Sequence, residues 1–331
     1  MHSALPRILS FGFTCADAEA LARFYRDRLG LERGETQELG GAYAALIGLP
    51  GSRLKRVVLH AGSERLELTQ VLELGPGLRP GRPVPADARS NDQAFQHICL
   101  VSGDLEAAAA PLLADLAAGR LRPISTAPQT LPADNPAAAG IRAFKLRDPE
   151  GHALELLQFP SDKGEARWHC APDQGAGCRG AVLGIDHSAI GVVDSGRSRR
   201  FYGGLLGLRL AGDGINHGIE QDHLDGLAGT RVRITAHRCP VGPGVECLQY
   251  QAPAGGRPMP ADRSCADLEH WQIRLAVTDL GAIAAGLAEA GGSASQLAPL
   301  TLEPASAQGL GFRQALQVRD PDGHTWQLVS D

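Results

Sequence analysis

No stretch of the 331 residues reaches 18 consecutive strongly apolar positions, so a membrane-spanning helix is not expected. The opening residues MHSALPRILSFGF lack the long apolar core and cleavage site of a secretory leader, and a cytoplasmic protein is the expectation. There is no Lys/Arg block, and 32 basic against 37 acidic residues leave a formal charge of −5. That balance argues against nucleic acid and anionic membranes as partners. The seven cysteines (Cys15, Cys99, Cys170, Cys178, Cys239, Cys247 and Cys265) are odd in number, widely spread and free of any C-x-x-C pair. Neither a disulfide framework nor a zinc knuckle is suggested, and most read as reduced, buried small hydrophobes. What is present is ordinary globular usage, 43% hydrophobic and 21% charged, in a chain long enough for roughly two domains at about 150 residues each.

The chain repeats itself. RPVPADARSNDQAFQHICLVSGDLEAA from Arg82 recurs as RPMPADRSCADLEHWQIRLAVTDLGAI from Arg257, and Asp148-Pro149-Glu150-Gly151-His152 recurs as Asp320-Pro321-Asp322-Gly323-His324. A shorter unit runs through both halves: a β-type run, an Asp, an amphipathic helix and a Gly. Its four copies place Asp17, Asp104, Asp194 and Asp279 as helix N-caps. In the first copy Leu21, Phe24, Tyr25 and Leu29 recur at helical spacing and Gly30 ends the helix, with Phe201, Tyr202, Leu205 and Gly207 as their counterparts in the third. Each helix is followed by short alternating runs, ending in RLELTQV, ALELLQF, VECLQYQ or TWQLVS. Each copy therefore reads β-α-β-β-β. The expected organisation is a first half, residues 1–159, with modules at about 6–74 and 94–159; a polar, glycine-rich linker at 160–181; and a second half, 182–331, with modules at about 182–252 and 268–330.

Four such modules, with D-x-x-x-x-x-x-F-Y-x-x-x-L-G-L after the first strand and D-P-x-G-H before the last, resemble the vicinal oxygen chelate superfamily of glyoxalase I, extradiol dioxygenases and bleomycin-resistance proteins. The resemblance covers nearly the whole chain outside the linker. It implies an α+β fold in which paired modules form two cupped mixed sheets. It also implies a metal held by residues seven positions before the capping Asp and on the last strand. Those positions are Ser10, His97, His187 and Gln272, and Glu67, Glu155, Glu246 and Gln327. In ALELLQF, Glu155 shares a strand face with Leu157 and Phe159; in VECLQYQ, Glu246 shares one with Leu248 and Tyr250. His97 sits likewise with Cys99 and Val101, and His187 with Ala189 and Val193. A carboxylate on such a face requires a compensating partner. Two imidazoles and two carboxylates suit one divalent transition ion, Ni, Zn, Fe, Mn or Co.

Which modules pair decides whether the four donors meet. A glyoxalase I-like pairing, two with three and one with four, gives a full site, His97/Glu155/His187/Glu246, and a degenerate one, Ser10/Glu67/Gln272/Gln327. An extradiol-like pairing, one with two and three with four, draws its ligands from the C-terminal pair, where Gln272 and Gln327 stand and only His270 could substitute. The D-P-x-G-H segments read as turns, with structural His152 and His324. His217 and His223 lie in GINHGIEQDHLDGL, read as a glycine-rich loop able to touch substrate. His60, His169 and His237 belong to no constellation.

The resemblance implies lyase or isomerase chemistry on a small oxygenated molecule that chelates the metal, with Lewis-acid stabilisation of an oxyanion and Glu155 or Glu246 moving protons as the general base. Two other functions fit the same residues: an Fe(II) extradiol-type dioxygenase, and a drug- or metabolite-binding resistance protein. The expected partner is a small-molecule substrate, in a monomer or homodimer.

Overall fold

The computed structural model describes residues 6–170 and 181–330. The first module runs β1 (Arg7–Cys15), α1 (Ala18–Leu29), β2 (Glu32–Leu39), a short helix α2 (Gly41–Leu46), β3 (Arg53–Ala61) and β4 (Glu64–Glu73). The second has β5 (Gln96–Ser102), α3 (Leu105–Ala117), two-residue strands β6 (Arg122–Pro123) and β7 (Gln129–Thr130), β8 (Arg142–Arg147) and β9 (Ala153–Gln158). The third has β10 (Val182–Gly191), α4 (Ser195–Arg199) continuing into a π-helical turn (Arg200–Leu205), β11 (Arg209–His217), α5 (Ile219–Asp225), β12 (Arg231–Arg238) and β13 (Gly244–Ala252). The fourth has β14 (Trp271–Ala276), α6 (Leu280–Gly286), β15 (Leu300–Thr301), α7 (Pro304–Leu310), β16 (Gln314–Arg319) and β17 (Thr325–Ser330).

The repeated Asp starts each principal helix. Asp17 accepts from the amides of Glu19 and Ala20, Asp104 from Ala107, Asp194 from Gly196 and Arg197, and Asp279 from Ala282. Gly30, at φ 72°, closes α1 in the left-handed conformation that a side chain would strain.

Strand pairing resolves the module question in favour of the crossed arrangement. One sheet has the order β15-β16-β17-β14-β1-β4-β3-β2, joining modules one and four; the other runs β11-β12-β13-β10-β5-β9-β8-β6, with β7 on β8, joining two and three. The extradiol-like pairing is thereby excluded: β5 pairs with β10 and β1 with β14, across the halves. Alternation sends one face of every central strand inward. Phe11, Tyr25, Ile98, Phe144, Ile185, Phe201, Ile273 and Trp326 belong to one buried apolar cluster that draws on all four modules. The opposite faces form two cups.

The sequence repeats act as pseudo-symmetric clasps. Arg82 pairs with Asp262 at 3.1 Å and with Asp267 at 3.2 Å, while Arg257 pairs with Asp87 at 2.9 Å and with Asp92 at 2.6 Å. A side chain at Gly81 or Gly256 would run into the backbone oxygens of Ala266 or Asn91, so the crossing tolerates only glycine there. The D-P-x-G-H turns join the two sheets. Tyr25 of α1 donates to Asp148, and Tyr202 donates to Asp320. His152 reaches the Thr14 carbonyl with Nε2 at 2.9 Å, and His324 reaches that of Gly191 at 2.8 Å.

The two histidines differ in charge. His152 also faces Asp148 with Nδ1 at 2.8 Å, so both ring nitrogens meet acceptors and both carry protons. Burial alone would lower its pKa, but Asp148 and the Thr14 carbonyl outweigh burial and raise it. Nδ1 of His324 has no partner, and burial lowers its pKa. We predict a charged His152 and a neutral His324 at pH 7, read from their imidazole ¹⁵N shifts. The stabilisation due to His152 is fully present below the unfolded pKa of about 6.5 and is lost as pH rises through the higher folded value. A neutral His152 at pH 6 would refute this.

Cys15, Cys99, Cys239, Cys247 and Cys265 are free and buried. That agrees with the reading of mostly reduced cysteines; Cys170 is the exception and is disulfide-bonded. Cys178 lies outside the described residues, as do residues 171–180 of the expected linker. At the near end of that linker, Trp168 is buried beneath the stacked guanidinium of Arg167. No helix among the described residues is long and apolar enough to cross a membrane.

Candidate metal centre

Four adjacent strands at the middle of the nine-stranded sheet build the site. In the ladder, Cys99 of β5 lies opposite Glu155 of β9 and opposite His187 of β10, while Ala189 of β10 lies opposite both His97 and Glu246. The period of two therefore directs His97, Glu155, His187 and Glu246 into one cup. The ladder shifts between Ile185 and His187, a β-bulge at Asp186. Ile185 stays in the apolar core while His187 turns into the cup, and Asp186 is left beside it.

Glu155 Oε2 lies 3.1 Å from His97 Nε2 and 3.7 Å from His187 Nε2, which is itself 3.4 Å from Glu246 Oε2. Bonds of about 2.1 Å to one ion set neighbouring donor atoms about 3.0 to 3.4 Å apart in octahedral or tetrahedral geometry. His97, Glu155 and His187 are buried and offer one ligand atom each, all within 4.8 Å of one another. Glu246 stands at the edge of this trio, its side chain 23% exposed. The residues present thus fit a divalent ion with nitrogen and oxygen donors.

Groups behind the donors fix their states. His187 Nδ1 is 2.8 Å from Asp186 Oδ2, which leaves Nε2 facing the cup. Arg238 clamps Asp186 in turn, 2.5 Å from the carboxylate and donating to its backbone oxygen at 2.7 Å. Burial would raise the Asp186 pKa, but His187 and Arg238 outweigh it and hold the carboxyl far below its usual range. Lys145 lies opposite Glu155 in the β8–β9 ladder, with Nζ 2.8 Å from Asp225 and 3.9 Å from Glu155. Asp225 also accepts from Tyr250 at 2.9 Å and from Gln221 at 2.8 Å. Burial opposes charge on Glu155, yet Lys145 and His97 prevail and keep it ionised. His97, by contrast, is pushed down to about 4, chiefly by burial, and is neutral at pH 7.

Four carboxylates (Glu155, Glu246, Asp186 and Asp225) thus face two cations, Lys145 and Arg238. Burial would lower the His187 pKa, but Glu246, Asp186 and Glu155 outweigh burial and raise it, so an incoming ion competes with a proton there. With both imidazoles neutral, as ligands must be, the cluster carries 2 − 4 = −2. A divalent cation neutralises it. Above the donors is a cavity of about 290 Å³ with largely apolar walls, among them Leu131, Ile141, Phe159, Leu224 and Ile234.

Other expected residues lie elsewhere. Ser10, Glu67, Gln272 and Gln327 come together in the cup of the eight-stranded sheet, where Arg274 pairs with Glu67 and donates to Gln327. His270 is buried beside that sheet and joins no donor set among the described residues. The segment read as a glycine-rich loop is a correction: it forms the end of β11 and the helix α5, which carries Gln221 and Leu224 to the cavity and Asp225 to Lys145. His217 is exposed, and His223 is bound through its backbone to Thr126. Asp186, Lys145, Asp225 and Arg238 were not singled out in the sequence. The acid directly before His187 was the only visible signal.

The sequence matches the model of the Glyoxalase/Bleomycin resistance protein/Dioxygenase superfamily over residues 7–156 and 184–328. Among solved structures, glyoxalase I from Zea mays is similar at a TM-score of 0.58 and 14% identity, covering 98% of this chain and 92% of its own. A putative dioxygenase from Bacillus subtilis gives 0.52 and 13%, covering 98% and 84%. At such identities the likeness is one of fold. No curated protein matches the chain.

Proposed function

The chain belongs to the Glyoxalase/Bleomycin resistance protein/Dioxygenase superfamily, and within it we propose a divalent-metal-dependent enzyme with glyoxalase I-like isomerase or lyase chemistry on a small, oxygen-chelating substrate. One observation carries this reading: buried donors converge at ligand spacing in a cluster whose fixed charges fall two short of neutrality. His97, Glu155, His187 and Glu246 would hold the ion. When bound, it supplies Lewis-acid polarisation of a substrate oxygen.

The two glutamates divide the work in this reading. Glu155 is enclosed, fixed by His97 and Lys145, and kept ionised by them, so it serves as a holding ligand. Among the described residues Glu246 pairs only with His187, and it is the more exposed of the two, so it can leave that contact to take a proton from the carbon next to a substrate carbonyl and return it to the neighbouring carbon. The apolar walls exclude water from the transfer.

Deuterium exchange from solvent into the hemithioacetal of methylglyoxal with a small thiol, followed by NMR, tests the reading. Glu246→Gln should retain the metal and lose at least about 100-fold in exchange rate. Glu155→Gln should lose metal and exchange in step. Unchanged exchange in Glu246→Gln would remove Glu246 as the base. The compact trio of two histidines and one carboxylate also suits a ring-cleaving Fe(II) dioxygenase. Oxygen consumption with catechols, in the absence of exchange, would establish that second reading.

A further inference from the structure

The cup of the eight-stranded sheet has exchanged a metal position for a guanidinium. The repeat frame sets Gln272 where the other cup has His97, and Arg274 where it has Cys99; the bulge between Ile8 and Ser10 matches that between Ile185 and His187, with Leu9 in place of Asp186. Arg274 and Arg56, both 3% exposed, approach the same oxygen of Glu67, Arg56 at 3.0 Å. The other oxygen, Oε2, is buried without a hydrogen-bond partner. Glu67 and Arg274 form the floor of a cavity of about 480 Å³, with Arg7 and Arg65 at its rim. Glu64, also in its lining, is neutralised by Arg167 at 2.6 Å. Arg7, Arg65 and Arg274 therefore face one carboxylate, Glu67, while Arg56, which also pairs with Glu67, is shared with Glu35.

Two demands follow. The excess positive charge calls for an anion, since a cation would be repelled and a bound metal would collide with Arg274. The orphaned Glu67 oxygen calls for a donor, which a bare carboxylate lacks. We propose that this cavity binds a small hydroxycarboxylate, its carboxylate toward the arginines and its hydroxyl donating to Glu67. The site is separate from the metal centre and does not depend on its assignment.

Glycolate and acetate are the probes, titrated by calorimetry into the full chain after chelator treatment, and into the His97→Ala/His187→Ala chain. Glycolate should saturate one site in both, with acetate at least about tenfold weaker because it leaves the Glu67 oxygen unpaired. Arg7→Ala/Arg65→Ala, changed only at the exposed rim, should bind glycolate several-fold more weakly with an unchanged melting temperature. Three outcomes would each overturn the proposal: no glycolate binding, equal affinity for acetate, or no effect of removing the rim arginines.

Discussion

Protein carrying both His97→Ala and His187→Ala is expected to contain less than about a tenth of an equivalent of divalent metal per chain, against about one in the unaltered protein. The remaining donors are Glu155 and Glu246, and Lys145, 3.9 Å from Glu155, competes for the former. Without the imidazoles, water would have to fill two nitrogen positions, a poor exchange for a transition ion. A second readout follows from linkage. An ion present at about 100 times its dissociation constant stabilises the fold by about 2.7 kcal/mol, so adding metal should raise the melting temperature of the stripped unaltered protein and leave that of the double variant unmoved. Elemental analysis of tag-free protein and a pair of melting curves suffice. Undiminished metal in the double variant would disprove the site.

The candidate donors were legible because the repeat supplies a frame that a lone strand histidine lacks. The four capping Asp residues fix the count back to Ser10, His97, His187 and Gln272, and the structure places them as two pairs, His97 with His187 and Ser10 with Gln272, each pair on neighbouring strands of one sheet. The pairing of modules stayed open because nothing local to His97 or His187 says which strand lies next to which; it is set by β5 against β10. The surrounding charges were hidden for the same reason. Lys145 matters because it is opposite Glu155 in the β8–β9 ladder, and Asp225 because α5 packs over the cavity. The bulge at Asp186 is invisible to any strict alternation, since it exists only as a mismatch between two strands. Arg82 and Arg257 show the reverse case: their repeat was plain, while its cause, a reciprocal clasp, appears only in three dimensions.

Arg274→Ala is expected to cost about 3 to 5 kcal/mol in urea unfolding, because it leaves Glu67, 1% exposed, short of one of its two cations and frees the Gln327 oxygen from its donor. Removing both charges in Glu67→Gln/Arg274→Met should recover most of that loss, as apolar or neutral packing commonly replaces a buried ion pair without penalty. A cost below about 1 kcal/mol for Arg274→Ala would mean that the pair is compensated elsewhere. Metal content should stay at about one equivalent in either variant, since the other cup keeps its donors. The contrast between the cups then has a physical basis. In one, the charge of a buried carboxylate is met by a cation tethered to β14, which no chelator removes; in the other, a deficit of two charges is left for an ion that can come and go. Chelator treatment should therefore soften hydrogen exchange along β9, β10 and β13 while leaving β1, β4 and β14 protected. Equal softening of both sheets would argue that the tethered guanidinium does not do for its half what the ion does for the other.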